Sequence, residues 1–523
     1  MTMVALLSRM GKADVGALVT DFHDCFGKGR QEMSQTSPEV PAYVGDMLDR
    51  ATAAAAEFAE FEYPQVRRIL DAVARVGEQN AERLGHLAAE ETGFGVAEDK
   101  VTKNFATIRQ MMQEYAGKNY CDHRVDTEKK ILLTPRPAGV IFGVTPSTGA
   151  TAAIFFKVMS ALISRNAIII SPHPAGKRVG AETVGLLARA AEEAGAPKGA
   201  VQVLAEPTIP LVEAVMADRR TRLVLATGGG PVVSAAYHSG TPAFGVGPGN
   251  PPCIVDETAD IAQAAENIYA SKIFDNSILC TAESVVFAVE SIAPRLLNEL
   301  QARGSYICSR EETQRLRDYA WPGGKFNAKV VGRFAVDIAK DAGFQVPAGT
   351  RVLIAQFDDV VDEEPLTHEK LSPILGFNVV PDFDTARRRA VELVRIVGLG
   401  HSAAIHSNDP QRVLDLSYEL PTYRVAVNVP SCLGNAGIGT NLPITMSVGT
   451  GYLGGSSSEQ NINPDLLVQW SSTVYSSEPS VRFPDFTRLR HERGGGTALN
   501  SQNLTEDLRR IVLEELQNLI GAR

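Results

Sequence analysis

The chain of 523 residues contains six cysteines but no Cys-x-x-Cys pair. Thiols scattered in this way form neither a disulfide framework nor a zinc site, so we expect reduced cysteines and no bound metal. Long hydrophobic runs are also missing, because no uninterrupted apolar segment approaches the roughly 20 residues that span a bilayer. The apolar start, residues 1–7, is too short for a secretory segment. We therefore expect a cytoplasmic location and no membrane partner.

The sequence also contains no concentrated basic segment. The formal net charge is −10, so nucleic acid is not an expected partner. Hydrophobic residues make up 44% of the chain and charged residues 21%, which are the proportions of a soluble globular protein. A chain of this length exceeds one ordinary hydrophobic core, which predicts at least two lobes.

Apolar runs and helical patterns alternate from residue 140 onwards. Strand and helix patterns follow one another at 140–144, 151–164, 167–171, 179–194, 201–204, 209–217 and 223–226. This alternation predicts an α/β fold in which a parallel sheet carries helices on both faces. A second α/β lobe is expected from near residue 261 to about residue 440.

One cysteine lies between a short polar turn and an apolar β-branched run. Cys280 follows the segment 274–279, and the strand pattern 284–289 comes soon after it. This layout presents a thiol at the mouth of a loop that feeds a strand, where it can attack a substrate. The alternative for a single cysteine is a buried structural thiol.

Two glycine- or proline-rich turns follow strand patterns and suit a phosphate-bearing ligand. Thr227-Gly228-Gly229-Gly230 ends one strand and opens a helix, whose free N–H groups can bind phosphate. Ser171-Pro172-His173-Pro174 follows another strand end, where nucleotide phosphates or adenosine can lie. An ordinary β–α turn and a solvated basic turn are the respective alternatives.

Four motifs occur in order at wide spacing, and together they carry a family resemblance. They are the glycine turn 227–230, Gly247-Pro248-Gly249-Asn250-Pro251-Pro252, the Cys280 loop and His368-Glu369-Lys370-Leu371-Ser372-Pro373. Over about residues 45–470 the chain resembles the aldehyde dehydrogenase superfamily. Within it, the chain resembles the CoA-acylating branch. This branch includes the aldehyde dehydrogenase half of each bifunctional aldehyde–alcohol dehydrogenase and the propionaldehyde dehydrogenases of bacterial microcompartments. The resemblance implies a Rossmann-type cofactor lobe, an α/β catalytic lobe and a small oligomerisation sheet.

The resemblance also implies roles for single residues. Cys280 becomes the catalytic nucleophile, and His401 tunes its thiolate or handles the proton of arriving CoA. Glu369 holds the nicotinamide ribose. Without the resemblance, the alternative for His401 is a packing residue. The alternative for Glu369 is a surface ion pair with Lys370. The remaining implied cofactor-binding residues are Thr145, Pro146, Ser171, His173, Thr227, Gly228, Gly229, Gly230 and Gly247.

One departure from the family pattern favours thiolysis. Hydrolytic relatives carry a glutamate before a Gly-Gly pair as the base that activates water. The corresponding segment here, Val246-Gly247-Pro248-Gly249-Asn250, has no carboxylate. A thioester intermediate should therefore survive until a CoA thiolate arrives, which predicts acyl-CoA as the product.

A second departure leaves two explanations open. Acylating relatives usually show Thr-Pro-x-Thr-Asn-Pro, whereas this chain has Gly149 at the Asn position of 145–150. Either an oxyanion donor worth about 3 kcal/mol is lost, or the glycine makes room for a different aldehyde head group.

The expected activity is the reversible oxidation of a short-chain aldehyde, propionaldehyde or acetaldehyde, to acyl-CoA. NAD is the expected cofactor, with NADP open, and coenzyme A is the co-substrate. Alternative substrates are sulfoacetaldehyde and succinate semialdehyde. Alternative functions are a hydrolytic aldehyde dehydrogenase and a non-catalytic scaffold.

The domain interpretation has five parts: an N-terminal arm (1–40), a cofactor-binding domain (41–258), a catalytic thiol domain (259–445), a returning segment (446–490), and a linker with a tail helix (491–523). A stretch near 128–137 and the run 480–486 are expected to pair in the outlying sheet, which implies a homo-oligomer, a dimer or tetramer. Apolar residues at helical spacing over 504–520 resemble an encapsulation peptide. We therefore expect a bacterial microcompartment location and a shell protein as partner, with a subunit-pairing helix as the alternative.

Overall fold

The computed structural model describes residues 41–491. The N-terminal arm and the tail helix of the sequence interpretation lie outside the described residues. The described residues divide into two compact units, one of which contains residues 41–121 and Arg136–Gln469. The other contains Asp122–Pro135 and residues 470–491.

A parallel five-stranded sheet forms the first half of the larger unit. Its order is β5-β4-β3-β6-β7, so the chain reverses direction across the sheet between β3 and β6. The carboxyl ends of strands at such a reversal form a crevice that commonly binds nucleotides. The strands are β3 (Val140–Val144), β4 (Ala167–Ser171), β5 (Val201–Val203), β6 (Leu223–Thr227) and β7 (Ala243–Val246).

Helices cover this sheet and extend before it. The three helices that precede it are α1 (Ala42–Ala59), α2 (Tyr63–Thr92) and α3 (Ala97–Tyr115). Gly85 lets α2 approach α3 closely, since a Cβ there would lie 2.6 Å from Val101 Cγ2. The helices between its strands are α4 (Ala152–Ile163), α5 (Lys177–Glu193), α6 (Ile209–Ala217) and α7 (Gly230–His238).

A parallel seven-stranded sheet forms the second half of the larger unit, in the order β10-β11-β12-β9-β8-β13-β14. Its strands are β8 (Pro252–Val255), β9 (Val285–Val289), β10 (Ser305–Ile307), β11 (Val352–Gln356), β12 (Ile374–Val380), β13 (Ala403–His406) and β14 (Val425–Val427). The chain enters this sheet at β8, before the boundary at residue 258 that the sequence interpretation placed. A buried β-branched strand such as β9 packs well between two layers of helices.

Capping side chains explain where the helices of this half begin. The side chains of Asp260, Ser309, Asp382 and Asp409 each accept a hydrogen bond from an N–H in the first turn of the following helix. The helices are α8 (Ile261–Ile273), α9 (Ala293–Ala302), α10 (Arg310–Ala320), α11 (Ala335–Asp341), α12 (Phe383–Ile396), α13 (Pro410–Glu419) and α14 (Ser431–Gly434).

A three-stranded sheet of order β1-β2-β15 involves the smaller unit. Strand β1 (Arg124–Asp126) pairs antiparallel with β2 (Ile131–Pro137), and β15 is Val468–Val474. The sequence interpretation gave the third strand to 480–486, and this was wrong, because that segment forms no strand. Pro484 has no N–H to donate to a sheet, and the rings of Phe483 and Phe486 pack with Tyr475 instead.

The described part of the chain, 41–491, contains no helix that is long and apolar enough to cross a membrane. The α/β fold class with parallel sheets, expected from the alternation of patterns, is confirmed.

Candidate active site

The loop that delivers Cys280 has an unusual backbone. Asp275, Asn276 and Ser277 have φ angles of 50°, 50° and 59°. Three successive residues with side chains rarely adopt the left-handed region, so surrounding contacts must hold them there. Asp275 Oδ1 accepts the Val96 N–H at 2.7 Å, and Asn276 Nδ2 donates to the Gly332 carbonyl at 3.0 Å. These contacts fix the turn between α8 and β9.

Two buried lysines of α3 bind the same turn. Lys100 Nζ lies 3.2 Å from Asp275 Oδ2, and Lys103 forms an ion pair with the same oxygen. Burial, and then the charge of Lys103, lower the pKa of Lys100 to about 8. Lys103 Nζ also donates to the Thr148 carbonyl at 3.1 Å. Lys103 therefore links the Cys280 loop to the segment 145–150 that carries the Gly149 departure.

Cys280 itself is half-buried and lines a small cleft. The cleft is also lined by Gly249, Lys272, Glu369 and Leu371. Burial raises the pKa of the Cys280 thiol to about 12, and the nearby carboxyl of Glu369 adds to the shift. The Cys280 N–H and the Arg424 guanidinium act in the opposite direction and favour the thiolate.

Gly249 lies where no other residue fits. A Cβ at this position would be 2.2 Å from the Cys280 carbonyl oxygen and 2.8 Å from His401 Cε1. The main chain of the segment 246–250 therefore contacts both the Cys280 segment and the His401 ring. The Gly249 N–H donates to Glu369 Oε1 at 2.9 Å, which places this carboxyl beside the same loop.

His401 is fully buried. Its Nδ1 lies 2.8 Å from Ser402 Oγ, and its Nε2 has no hydrogen-bond partner among residues 41–491. Burial, and then the positive charge of Arg424, lower the pKa of His401 to about 3. The imidazole is therefore neutral at physiological pH and can accept a proton, but it cannot stabilise a thiolate by its charge.

Glu369 and Lys370 do not form the surface ion pair that is the alternative for this motif. Lys370 is buried, and its Nζ donates to Ser284 Oγ at 2.8 Å and to the Leu366 and His368 carbonyls. Burial raises the pKa of Glu369 to about 8, although the Gly249 N–H bond lowers it in part. Glu369 therefore faces the cleft as a weakly acidic carboxyl.

The cofactor-binding residues of the sequence interpretation gather at one edge of the five-stranded sheet. Thr145 and Pro146 follow β3, Ser171 and His173 follow β4, the turn 227–230 follows β6, and Gly247 follows β7. The Thr145 N–H donates to the Ser171 carbonyl at 3.1 Å, which joins the first two loops. This is the edge where a topological reversal opens a crevice.

Single features of this edge suit a phosphate or ribose. Thr145 is buried, and its Oγ1 has no hydrogen-bond partner within the part of the chain that the structure describes. A Cβ on Gly230 would meet nothing within 4 Å, so the start of α7 is open. His173 is exposed, and its Nδ1 accepts the Ala175 N–H at 3.1 Å, which caps a short helical turn before α5.

Sequence reasoning missed Lys157, a residue that stabilises this edge. It lies in the middle of α4, whose twelve residues are all buried. Its Nζ donates to the Leu225 carbonyl at 2.8 Å, to Thr227 Oγ1 at 3.1 Å and to the Val144 carbonyl. Burial lowers its pKa to about 7. A single lysine in an otherwise apolar helix was the available signal.

Sequence reasoning also missed Arg424, which lies just before β14. This buried guanidinium donates through Nη1 to the His401 carbonyl at 2.7 Å and through Nε to Asn461 Oδ1 at 2.6 Å. Its Nη2 donates to the Glu459 carbonyl. The signal was a lone arginine beside the apolar run 425–427.

The chain belongs to the aldehyde dehydrogenase family, whose sequence profile matches residues 29–438. The bifunctional aldehyde-alcohol dehydrogenase AdhE of Escherichia coli K12 is 35% identical over 444 residues, which cover 84% of this chain and 50% of that protein. The chain therefore spans about half the length of that relative. The sulfoacetaldehyde dehydrogenase (acylating) of Bilophila wadsworthia is 31% identical and covers 80% of this chain and 92% of its own.

Solved structures agree with this assignment. An acetylating aldehyde dehydrogenase from Geobacillus thermoglucosidasius superposes with a TM-score of 0.82 at 33% identity, over 84% of this chain and 98% of its own. A propionaldehyde dehydrogenase from the fucose utilisation bacterial microcompartment of Clostridium phytofermentans gives 0.75 at 29% identity, over 83% and 98%. The resemblance to the CoA-acylating branch is thereby confirmed.

Proposed function

We propose that the chain oxidises a short-chain aldehyde to acyl-CoA, with propionaldehyde or acetaldehyde favoured. The observation that carries the proposal is the loop 246–250, which reaches Cys280 through Gly249 without a carboxylate of its own. Water needs a base to attack a thioester, whereas a CoA thiolate does not. Glu369, the carboxyl beside this loop, is mostly protonated near neutral pH because burial raises its pKa to about 8.

Each bond change can be assigned. The Cys280 thiolate adds to the aldehyde carbon, and the Cys280 N–H faces the negative charge that develops. Collapse of this adduct releases a hydride from the same carbon and leaves a Cys280 thioester. The thioester then accepts attack by the CoA sulfur, and Cys280 leaves as a thiolate. The overall change converts aldehyde, CoA and oxidised cofactor to acyl-CoA, reduced cofactor and one proton.

The cofactor we propose is NAD, with NADP as the alternative. The buried Thr145 hydroxyl and the open turn 229–230 fit a dinucleotide at the edge of the sheet. When bound, a nicotinamide supplies the hydride acceptor. NAD sites often hold the ribose 2′-OH with a carboxylate. Ser171-Pro172-His173 offers none after β4, so both cofactors should be compared.

His401 suits proton transfer from CoA. Its Nε2 is buried with no partner among the described residues, and the ring contacts Gly249 beside Cys280. A neutral imidazole can take the proton of the CoA thiol as the sulfur attacks. We assign His401 this role, and Glu369 a role in binding the nicotinamide ribose.

The test is NADH formation from propionaldehyde by the purified protein, with and without CoA. We expect turnover to require both CoA and Cys280, so the Cys280→Ala variant should be inactive. Cys308→Ala is the matched control, since Cys308 is a buried thiol at the end of β10, and this variant should keep its activity. Steady turnover without CoA would contradict thiolysis and favour a hydrolytic enzyme. No turnover across a panel of aldehydes would favour the scaffold alternative.

The head group of the aldehyde is a finer part of the proposal. A Cβ on Gly149 would have only ordinary contacts, with Ala153 Cβ at 3.5 Å, so a larger residue could fit and its absence leaves space. The acylating relatives include enzymes named for sulfoacetaldehyde and for succinate semialdehyde. The preference for a head group is tested by measuring kcat/KM for four aldehydes: sulfoacetaldehyde, succinate semialdehyde, propionaldehyde and acetaldehyde. A ratio above tenfold for either anionic aldehyde would overturn the short-chain proposal.

Assembly and location belong to the same proposal. We propose a homo-oligomer, and a microcompartment location directed by residues 491–523 through a shell protein. A structural neighbour comes from such a microcompartment. Deletion of 491–523 should leave turnover intact and abolish co-purification with shells. If the truncated protein still enters shells, the tail does not direct it.

A further inference from the structure

Arg424 is a buried cation with an unusual set of partners. Its side chain is 5% exposed, and its three hydrogen bonds go to the His401 carbonyl, the Glu459 carbonyl and the Asn461 side chain. All three acceptors are uncharged. Within residues 41–491, no carboxylate forms a direct ion pair with Arg424, and the Glu459 carboxyl acts on it only as a nearby charge. A buried charge without a direct ion pair is costly, so such a group often serves a functional site.

A continuous series of contacts connects Arg424 to Cys280. The guanidinium holds the carbonyl of His401, and the His401 ring lies against Gly249. Gly249 in turn lies against the carbonyl oxygen of Cys280. Asn461 fixes the direction of the guanidinium through Nε, and its own Nδ2 is bonded to the Asn435 and Pro443 carbonyls. The charge therefore has a fixed position behind the thiol site.

We propose that Arg424 is a positioning residue that stabilises the thiolate of Cys280 by its charge and orients His401 through the His401 carbonyl. This inference rests on the proposed role of Cys280 as nucleophile. It gives the unpaired guanidinium an anionic partner that exists only when the nucleophile is activated. Burial is the main reason that His401 stays neutral, and the Arg424 charge adds to this effect.

Other charged groups around Cys280 do not supply this effect. Glu369 lies in the cleft, where its carboxyl is mostly protonated near neutral pH because burial raises its pKa to about 8, and it opposes the thiolate only when it ionises. Lys272 and Lys370 line the same cleft. However, Lys370 is turned towards Ser284 Oγ and two carbonyls, and Lys272 donates to the Glu283 carbonyl. His401 carries no charge near neutral pH, so among these groups Arg424 is the cation that favours the Cys280 thiolate.

The test measures thiol reactivity and uses neither aldehyde nor CoA. The second-order rate of Cys280 with 2,2′-dithiodipyridine is followed from pH 6 to pH 10 on the Cys280 peptide by mass spectrometry. Because burial raises the pKa of the Cys280 thiol to about 12, this range lies below the midpoint, and the rate is proportional to the fraction of thiolate. We expect Arg424→Gln to slow the reaction about tenfold at each pH in the range, since a nearby opposite charge shifts a pKa by roughly 1–3 units and one unit is a tenfold change in thiolate.

Two variants separate charge from structure. Arg165→Gln removes another buried guanidinium, which is bonded to the Phe61 and Tyr120 carbonyls away from the cleft, and should leave the rate unchanged. Arg424→Lys keeps the charge but loses the fixed geometry. Its rate at pH 6 should stay within about threefold of wild type, because an ammonium buried like that of Lys157 titrates near 7.

Unchanged rates in Arg424→Gln would overturn the proposal and leave Arg424 a structural residue. If Arg424→Gln does not fold, the Cys280 reaction rate of Arg424→Lys at pH 6 tests the proposal by itself. A rate at least tenfold below wild type at pH 6 would then contradict the charge effect. If turnover requires CoA but Arg424→Gln leaves the Cys280 reaction rate unchanged, this inference is refuted and the proposed function stands. If Arg424→Gln slows the Cys280 reaction but turnover does not require CoA, only the proposed function is refuted.

Discussion

The Gly249 N–H donates to Glu369 Oε1 at 2.9 Å. This bond connects the loop 246–250 with the Glu369 carboxyl, which lies beside Cys280. In hydrolytic relatives, the corresponding loop carries the catalytic base. Because the same glycine contacts the Cys280 carbonyl and the His401 ring, one residue sets the spacing of three functional groups. The absence of a side chain at 249 is therefore as important as the side chains around it.

Gly249→Ala should abolish activity. The added Cβ would lie 2.2 Å from a main-chain oxygen that cannot rotate away, so the loop or the Cys280 segment must shift. Misplaced reacting groups commonly lose about 100-fold in rate, and we expect at least that loss in kcat/KM. Gly45→Ala is the control, since a Cβ there meets nothing within 4 Å. Equal kcat/KM for wild type and Gly249→Ala would refute the packing argument.

Glu369→Gln should change how stability depends on pH. The pKa of Glu369 is raised to about 8 in the folded protein and is ordinary when unfolded, so the folded state binds more protons between about pH 4.5 and 8. Wild-type stability from this group therefore falls as pH rises through that window. Glutamine removes the loss and can still accept the Gly249 N–H.

The measurement is the free energy of unfolding in urea at pH 5 and pH 8. From pH 5 to pH 8, the free energy of unfolding of the Gln variant should rise relative to that of wild type by on the order of 2 kcal/mol. This figure is smaller than the full pKa shift implies, because solvent screens the carboxyl. A difference between the two proteins that is the same at both pH values would show that Glu369 is not held protonated.

His401→Gln should slow one half of the reaction. If the neutral imidazole takes the CoA proton, the CoA-dependent step should slow by about 100-fold, as for loss of a general base. The first burst of NADH, which precedes CoA attack, should keep its amplitude. Stopped-flow absorbance separates the two phases. An equal slowing of both phases would indicate a packing role for this histidine.

Lys103→Met should disturb the Cys280 loop. The variant removes the link between Asp275 and the Thr148 carbonyl and leaves Asp275 with Lys100 alone. Breaking a buried ion pair typically costs about 3–5 kcal/mol, so we expect a fall of this order in unfolding free energy and a loss of kcat. Lys118→Met, which removes a surface pair with Asp465, should cost less than about 1 kcal/mol. Similar costs for the two variants would contradict the linking role.

Local pattern was sufficient for much of the cofactor half. The strand patterns at 140–144 and 167–171 coincide with β3 and β4, because buried parallel strands read as short apolar runs between helical patterns. The outlying sheet was harder. Its third strand, 468–474, is partly polar and largely exposed, so it gives a weaker signal than the aromatic run 480–486 that was chosen instead.

The candidate site was predictable only where a motif is contiguous. Cys280 and the glycine turn 227–230 are suggested by their own sequence neighbourhoods, whereas Glu369 was named only through the family resemblance. Lys103, Lys157 and Arg424 do not, because each contacts residues far away in the chain, and a lone cation in an apolar segment has no periodicity. The left-handed turn 275–277 was also missed, since its conformation depends on Val96 and Gly332 rather than on glycine.

The most direct test of the account is to trap the acyl-enzyme. The protein is mixed with NAD and propionaldehyde in the absence of CoA, and the Cys280 peptide is analysed by mass spectrometry. We predict one NADH per active subunit, a propionyl group on Cys280, and its release as propionyl-CoA when CoA is added. Continued NADH formation with free propionate and an unmodified Cys280 would contradict the central claim.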